Sequence, residues 1–246
     1  MVNLVTLTGL VEEVVENGKR VDAVVSVTTK FFSGKEKSSK FNVSFPTGEL
    51  IRVAKIAEQT GRPMYVSLKG VIANRKFSEN DKYANHTYIA ALDVGTIGIT
   101  AERQWATVVM HGKIVASSLK YTKNGKPFIS LLVRNERVIN KAGDVFSSSI
   151  NVSIYDVSEK DYYVEENNDE SFFKVGNLII FQGRLDSYDS REHNGKHIAT
   201  VTADWYEVLS SPSTTLFSEQ NSEKNTAVSE KEEDDSAIDD SDILPF

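Results

Sequence analysis

Aromatic rings and cationic side chains are interleaved at four places in this 246-residue chain. Phe31 and Phe32 stand just before the turn Ser33-Gly34-Lys35-Glu36-Lys37, with Lys30, Lys40 and Phe41 close by. Arg75, Lys76 and Phe77 form a second group. Tyr121, Lys123, Lys126 and Phe128 form a third, with Arg134 and Arg137 further on. Arg184, Tyr188, Arg191 and Lys196 make the fourth. Cations can track a line of phosphates, and flat rings can stack on exposed bases. One base–aromatic stack contributes about 1–3 kcal/mol, and any base will serve because every base has a π-face. The mixture therefore suits an unpaired polynucleotide held without regard to sequence. Each residue also has a plainer role. A Phe on an alternating strand fills a core as readily as it lines a surface, which leaves Phe41 and Phe45 open between the two. One of Phe31 and Phe32 is expected to point inward, and a lone Lys is usually a solvated turn. Trp105 and Trp205 are expected to pack.

Composition narrows the chemistry. With no cysteine, disulfides, thiolate metal sites and cysteine nucleophiles are excluded. The four histidines are His86, His111, His193 and His197, with no H-E-x-x-H arrangement beside them, so no zinc site is expected. Asp81, Asp186 and Asp189 fall in or near turns without metal-ligand spacing. There is no phosphate-cradling glycine loop, nucleophile elbow or paired-carboxylate motif, so neither an enzyme nor a cofactor is expected. No run approaches the roughly 18–20 apolar residues of a membrane span, and no signal peptide is visible, so the expected setting is a reducing cytoplasm.

The elements that must position these residues occur twice. Val5-Thr6-Leu7-Thr8-Gly9-Leu10 is echoed by Val108-Val109-Met110-His111-Gly112-Lys113. Lys40-Phe41-Asn42-Val43-Ser44-Phe45 is echoed by Ser149-Ile150-Asn151-Val152-Ser153-Ile154-Tyr155. Met64 to Ile72, containing Gly70, is echoed by Asn177 to Leu185, containing Gly183. A polar turn and a last strand follow each time, Thr87 to Val94 and His197 to Val208. Each copy reads as five strands with a link between the third and fourth. In the first copy that link is an expected helix over Gly48 to Thr60, stopped by Gly61 and Pro63. In the second it runs from Asp156 to Lys174 and is more acidic. Mid-strand glycines suit a tightly coiled small barrel. The fold class is therefore all-β, with two tandem OB-type five-stranded barrels over 1–101 and 102–210.

Residues 211–246 are different. Ser, Thr, Asn and Glu dominate to Glu233, a composition that cannot offset the entropy of ordering. The stretch holds ten acidic residues against two basic ones, leaving 26 basic against 25 acidic in residues 1–210. The chain's charge of −7 thus belongs to an acidic tail expected to be disordered. Its end, Asp239-Asp240-Ser241-Asp242-Ile243-Leu244-Pro245-Phe246, sets acids before an apolar tip.

Taken together, nearly the whole chain resembles the bacterial single-stranded-DNA-binding proteins. The first strand Asn3 to Leu10, the stretch Val175 to Leu185, the hairpin Tyr188 to Lys196 and the terminal Asp240 to Phe246 carry the likeness. Leu244 departs from the family's D-D-D-I-P-F tip. The resemblance implies DNA contacts at Phe31, Phe32, Lys35, Lys37, Phe41, Arg75, Lys76 and Phe77 in the first barrel. In the second, Tyr188 stands roughly where Phe77 does, and the mixture of rings and cations makes Tyr121, Lys126, Arg134, Arg184 and Arg191 the expected contacts beside it. It implies that Asp239, Asp240, Asp242, Ile243, Leu244, Pro245 and Phe246 dock replication, recombination and repair proteins. It also implies a homodimer, since family members with two barrels per chain present four barrels that way. Phe and Tyr replace the family's stacking tryptophans, and the hairpin Val138 to Phe146 is less aromatic and basic than its counterpart. Unequal barrels are expected, the first binding more strongly. The competing reading, favoured by the nearly neutral body, is an OB-fold protein–protein adaptor.

Overall fold

A computed structural model of the chain describes residues 2–17, 20–30, 34–45, 59–76, 85–98, 103–138, 145–158, 173–189 and 197–209. Nearly all of these are in ten strands. They are β1 (Asn3–Asn17), β2 (Arg20–Lys30), β3 (Glu36–Phe45), β4 (Met64–Lys76) and β5 (Asn85–Gly98), then β6 (Trp105–Tyr121), β7 (Pro127–Val138), β8 (Val145–Ile154), β9 (Leu178–Asp189) and β10 (His197–Leu209). Alternation explains them. Along β6, Ala106, Val108, Met110, Gly112 and Ile114 are buried while the residues between them are not, the period of two that a half-buried strand requires. The helix expected over Gly48 to Thr60 falls almost wholly outside the described residues. Gln59 and Thr60 are helical, and Gly61 follows at φ 62°, the left-handed conformation that ends helices. The join near residue 101, most of the link from Asp156 to Lys174, and the tail from 211 to 246 also lie outside them.

Strand pairing closes two rings. β1 pairs with β2, β2 with β3, β3 with β5 in parallel, β5 with β4, and β4 with β1 again. β6, β7, β8, β10 and β9 repeat that order, with the parallel contact again between third and fifth strands. The first interior is filled by Leu7, Phe41, Phe45, Ile72 and Ile89. The second is filled by Met110, Ile129, Leu131, Ile150, Ile154 and Phe181. Burying one such side chain contributes roughly 1.5–3 kcal/mol.

The mid-strand glycines are explained by how closely neighbouring strands approach. A Cβ on Gly70 would sit 2.6 Å from the Ala90 carbonyl oxygen, and one on Gly112 would sit 2.6 Å from that of Arg134. Gly9 faces the Ser26 carbonyl and Gly183 the Thr202 carbonyl in the same way. Bulges recur as well. Glu12 in β1 and Val115 in β6 are the extra residues opposite the second strand of each ring. Leu92 in β5 and Asp204 in β10 are the extra residues opposite the fourth. Both devices bend and twist a strand, as closing a ring of only five requires.

The rings meet where β1 pairs antiparallel with β6, and the register there is symmetric. Val5 lies opposite Val108, and each stands four residues ahead of its ring's first glycine. Equivalent residues therefore face each other, and an approximate two-fold axis passes between them. Polar clasps bind the seam on either side. Asn3 Nδ2 donates across it to the Ser148 hydroxyl at 3.1 Å, and within the first ring Asn3 also grips the Ile72 backbone, donating to its carbonyl at 2.9 Å and accepting from its N–H at 3.0 Å. Asn74 grips the backbone of Ser149 likewise, donating to its carbonyl at 3.1 Å and accepting from its N–H at 2.5 Å. At the two-fold related place, Ser187 Oγ accepts from the Lys40 N–H at 2.7 Å.

Candidate nucleic-acid interface

The β6–β7 hairpin builds the clearest candidate surface. Its loop is held by Thr122 N–H to Lys126 carbonyl at 2.8 Å and Gly125 N–H to Thr122 carbonyl at 2.9 Å, with Gly125 at φ 74°. The hairpin register sets Lys120 opposite Phe128, and Ile129 lies opposite Ile154 across β7 and β8. Because Ile129 and Ile154 are buried, Phe128 and Tyr155 one step further on face outward. Their rings stack with centroids 5.1 Å apart, and Tyr155 is 44% exposed. Lys120, Phe128 and Tyr155 thus form a stripe across three strands. Tyr121, Lys123 and Lys126 at the turn are exposed beside it. Among the described residues no carboxylate lies within ion-pair distance of Lys120, Lys123 or Lys126. The sequence reading names Tyr121, Lys123, Lys126 and Phe128 in this hairpin but not Tyr155. Its signal was an aromatic residue directly after a period-two strand.

The second element is the end of β9. Tyr188 is 52% exposed there, and Arg184 lies on the same face of the strand. Arg134, in β7 between Lys113 and Ser149, is also exposed. Arg191 lies outside the described residues.

The first barrel differs. Its β2–β3 hairpin carries Lys30, Lys35, Lys37 and Lys40, and three of these meet carboxylates. Lys30 Nζ lies 2.9 Å from Glu36, Lys37 Nζ 2.9 Å from Asp186 of the second barrel, and Lys40 Nζ 2.6 Å from Glu12. The Glu12 hydrogen bond and charge raise the Lys40 ammonium above its ordinary pKa, so it stays charged through neutral pH. Lys35 is exposed behind Gly34, whose φ is 76°.

Phe41 requires a correction. It is 1% exposed, on the face of β3 that also carries Val43 and Phe45 into the core. A ring enclosed on both faces offers nothing to a base, so Phe41 is a core residue and not a stacking one. Trp105 and Trp205 depart from expectation in the opposite sense, since both are exposed. Phe31, Phe32 and Phe77 lie outside the described residues. Arg75 and Lys76 end β4, where their backbones pair with His86 and Asn85. The terminal residues Asp239, Asp240, Asp242, Ile243, Leu244, Pro245 and Phe246 lie outside as well. Among the described residues no cluster of His, Asp or Glu could hold a metal ion.

No protein-family model and no curated protein matches the chain. Solved structures do resemble it. The wild-type single-stranded DNA binding protein from Thermus aquaticus is 15% identical, with a TM-score of 0.55 over 86% of this chain and 94% of that one. A deletion variant of the same protein gives 0.56, again at 15% identity, over 86% of this chain and 96% of that one. A Plasmodium falciparum SSB in complex with ssDNA matches 43% of this chain and 94% of that one, with a TM-score of 0.32 and 13% identity. At these identities the likeness is one of architecture, and the chain has the fold of the Thermus aquaticus single-stranded DNA binding protein.

Proposed function

We propose that this chain binds single-stranded DNA without sequence preference and has no catalytic centre or cofactor. The observation that carries the reading is the outward stripe Lys120–Phe128–Tyr155 with Tyr121, Lys123 and Lys126 beside it: rings on rigid strands, ringed by cations with no carboxylate partner among the described residues. Such a surface supplies stacking and phosphate attraction together. The shared fold supports the reading. The deciding experiment is titration of oligo-dT against duplex DNA at two salt concentrations, followed by protein fluorescence. Tight binding to the single strand alone, weakening steeply with salt as counterions are released, is expected. Weak or salt-insensitive binding would favour the adaptor instead.

The same proposal covers assembly and partners. Leu4, Val109, Gln182 and Trp205 lie in register across β1, β6, β9 and β10, and Trp105 shares their face. Leu4, Trp105 and Trp205 are exposed on it. An exposed apolar face of this kind favours a homodimer, to be checked by sedimentation of the full chain. The acidic tail, working in the cytoplasm, presents Ile243 to Phe246 to replication, recombination and repair proteins. Removing those residues should abolish partner binding and leave DNA binding unchanged or slightly tighter. Weaker DNA binding after the deletion would sink the idea.

A further inference from the structure

Arg184, Asp186 and Tyr188 follow one another at every second residue of β9 and so share one face. The Asp186 side chain is 13% exposed and gathers groups from both barrels. Lys37 Nζ of the first barrel lies 2.9 Å from Oδ1, and Arg184 Nε lies 3.5 Å from Oδ2. The Thr202 hydroxyl donates to Oδ2 at 3.3 Å. A carboxylate so enclosed is tolerated only with charge and hydrogen-bond partners. Two cations, one from each barrel, flank this one carboxylate. The two cations reach solvent more than the carboxylate does, with side chains 45% and 35% exposed.

The positions matched to Lys37, Arg184 and Asp186 in the two-fold related half of the seam carry no charged residue. Counting from the matched glycines and strand pairs, Val71 stands for Arg184, Ala73 for Asp186 and Phe146 for Lys37. Among the described residues the ion pairs across the seam therefore lie on one side, and that side carries the exposed ring of Tyr188.

We propose that Asp186 stands where a DNA phosphate goes. A single strand crossing from the first barrel to the second sets one phosphate against Lys37 and Arg184, with the neighbouring base on Tyr188. The subsite belongs to both barrels and neither has it alone. In the DNA-free protein Asp186 keeps two like charges together that would otherwise repel. This rests on the single-stranded-DNA reading above and names the place where the strand passes between barrels.

The test uses the full chain with Asp186→Asn, an exchange that keeps shape and removes charge. Oligo-dT affinity is measured over a range of salt for the unaltered chain, Asp186→Asn, Lys37→Gln and the double variant. With the competing carboxylate gone, Asp186→Asn should bind about threefold more tightly at low salt, and its slope of log K against log salt should steepen by about 0.7, one single-strand phosphate. Lys37→Gln should lose about as much affinity and flatten the slope by about 0.7, which also covers the case in which Asp186→Asn fails to fold. In the double variant the gain should vanish. A gain that persists without Lys37 would reveal a general field effect and overturn the shared subsite. An unaltered slope in both single variants would overturn it too. Failure of the unaltered chain to bind oligo-dT would overturn the functional reading along with it, whereas binding by that chain with inert variants overturns this inference alone.

Discussion

The two barrels agree where backbone meets backbone and part company where side chains meet solvent. Gly9 and Gly112 face a second-strand carbonyl, Gly70 and Gly183 a fifth-strand one, and bulges recur at Glu12 and Val115 and at Leu92 and Asp204. Yet Lys40 corresponds to Ser149, Glu12 to Val115 and Asp186 to Ala73. Ring closure tolerates little variation, because a single Cβ at any of the four glycines would collide with a neighbouring strand. Charge at the rim has no such constraint. One side of the seam could gain an ion pair while the other kept the Asn74 clasp.

The largest effect should come from testing which aromatics belong to the core. Phe41→Ala should lower stability by about 3–5 kcal/mol in urea unfolding. The folded fraction should bind oligo-dT as before, and a selective loss of binding would restore Phe41 to the DNA surface. Next, Gly70→Ala and Gly183→Ala should each cost about 1–3 kcal/mol, equally within error. A wide gap between them would break the equivalence of the barrels. Ring removal at the rim sharpens the contrast in binding. Phe77→Ala and Tyr188→Ala should each weaken oligo-dT affinity by about 1–3 kcal/mol, with the larger loss at Phe77 if the first barrel leads. Equal losses would count against unequal barrels. The seam comes next. Asn74→Ala leaves both backbone groups of Ser149 without their partner and should cost about 1–3 kcal/mol, against about 0.5–1.5 for Ser187→Ala. The smallest effect belongs to Glu36→Gln. Its pair with Lys30 is solvent-exposed and contributes about 0–1 kcal/mol, so thermal unfolding should barely move.

Much of the architecture is legible in the order of the residues. The echoed glycines carry the duplication, because only a backbone constraint repeats a residue that has no side chain to contribute. Alternating Val, Ile and Leu mark the strands, and the Tyr121 to Phe128 hairpin shows in its turn and its flanking rings. Which face of a strand points inward is not legible in the same way. Phe41 lies on the apolar side of β3 with Val43 and Phe45, opposite Lys40, Asn42 and Ser44, and an aromatic apolar side can fill a core or meet a base; the ring closure assigns it to the core. Ion pairs across the seam are hidden too. Lys37 and Asp186 belong to different copies of the repeat, and nothing local links them. Tyr155 looks like the end of a strand until its register with Phe128 makes it half of a stacked pair.

The symmetric pairing of Val5 with Val108 has a consequence for how the two copies can change. An interface in which equivalent residues face each other is the kind that joins two identical subunits. In a pair of identical subunits every substitution appears twice, so a charge suited to one side is imposed on the other. Joining the copies in one polypeptide keeps them together at high effective concentration whatever their separate affinity. It also gives each its own hereditary record. Asp186 could then arise opposite Lys37 without a second aspartate arising at the buried Ala73, where the positions matched to Lys37 and Arg184 hold Phe146 and Val71.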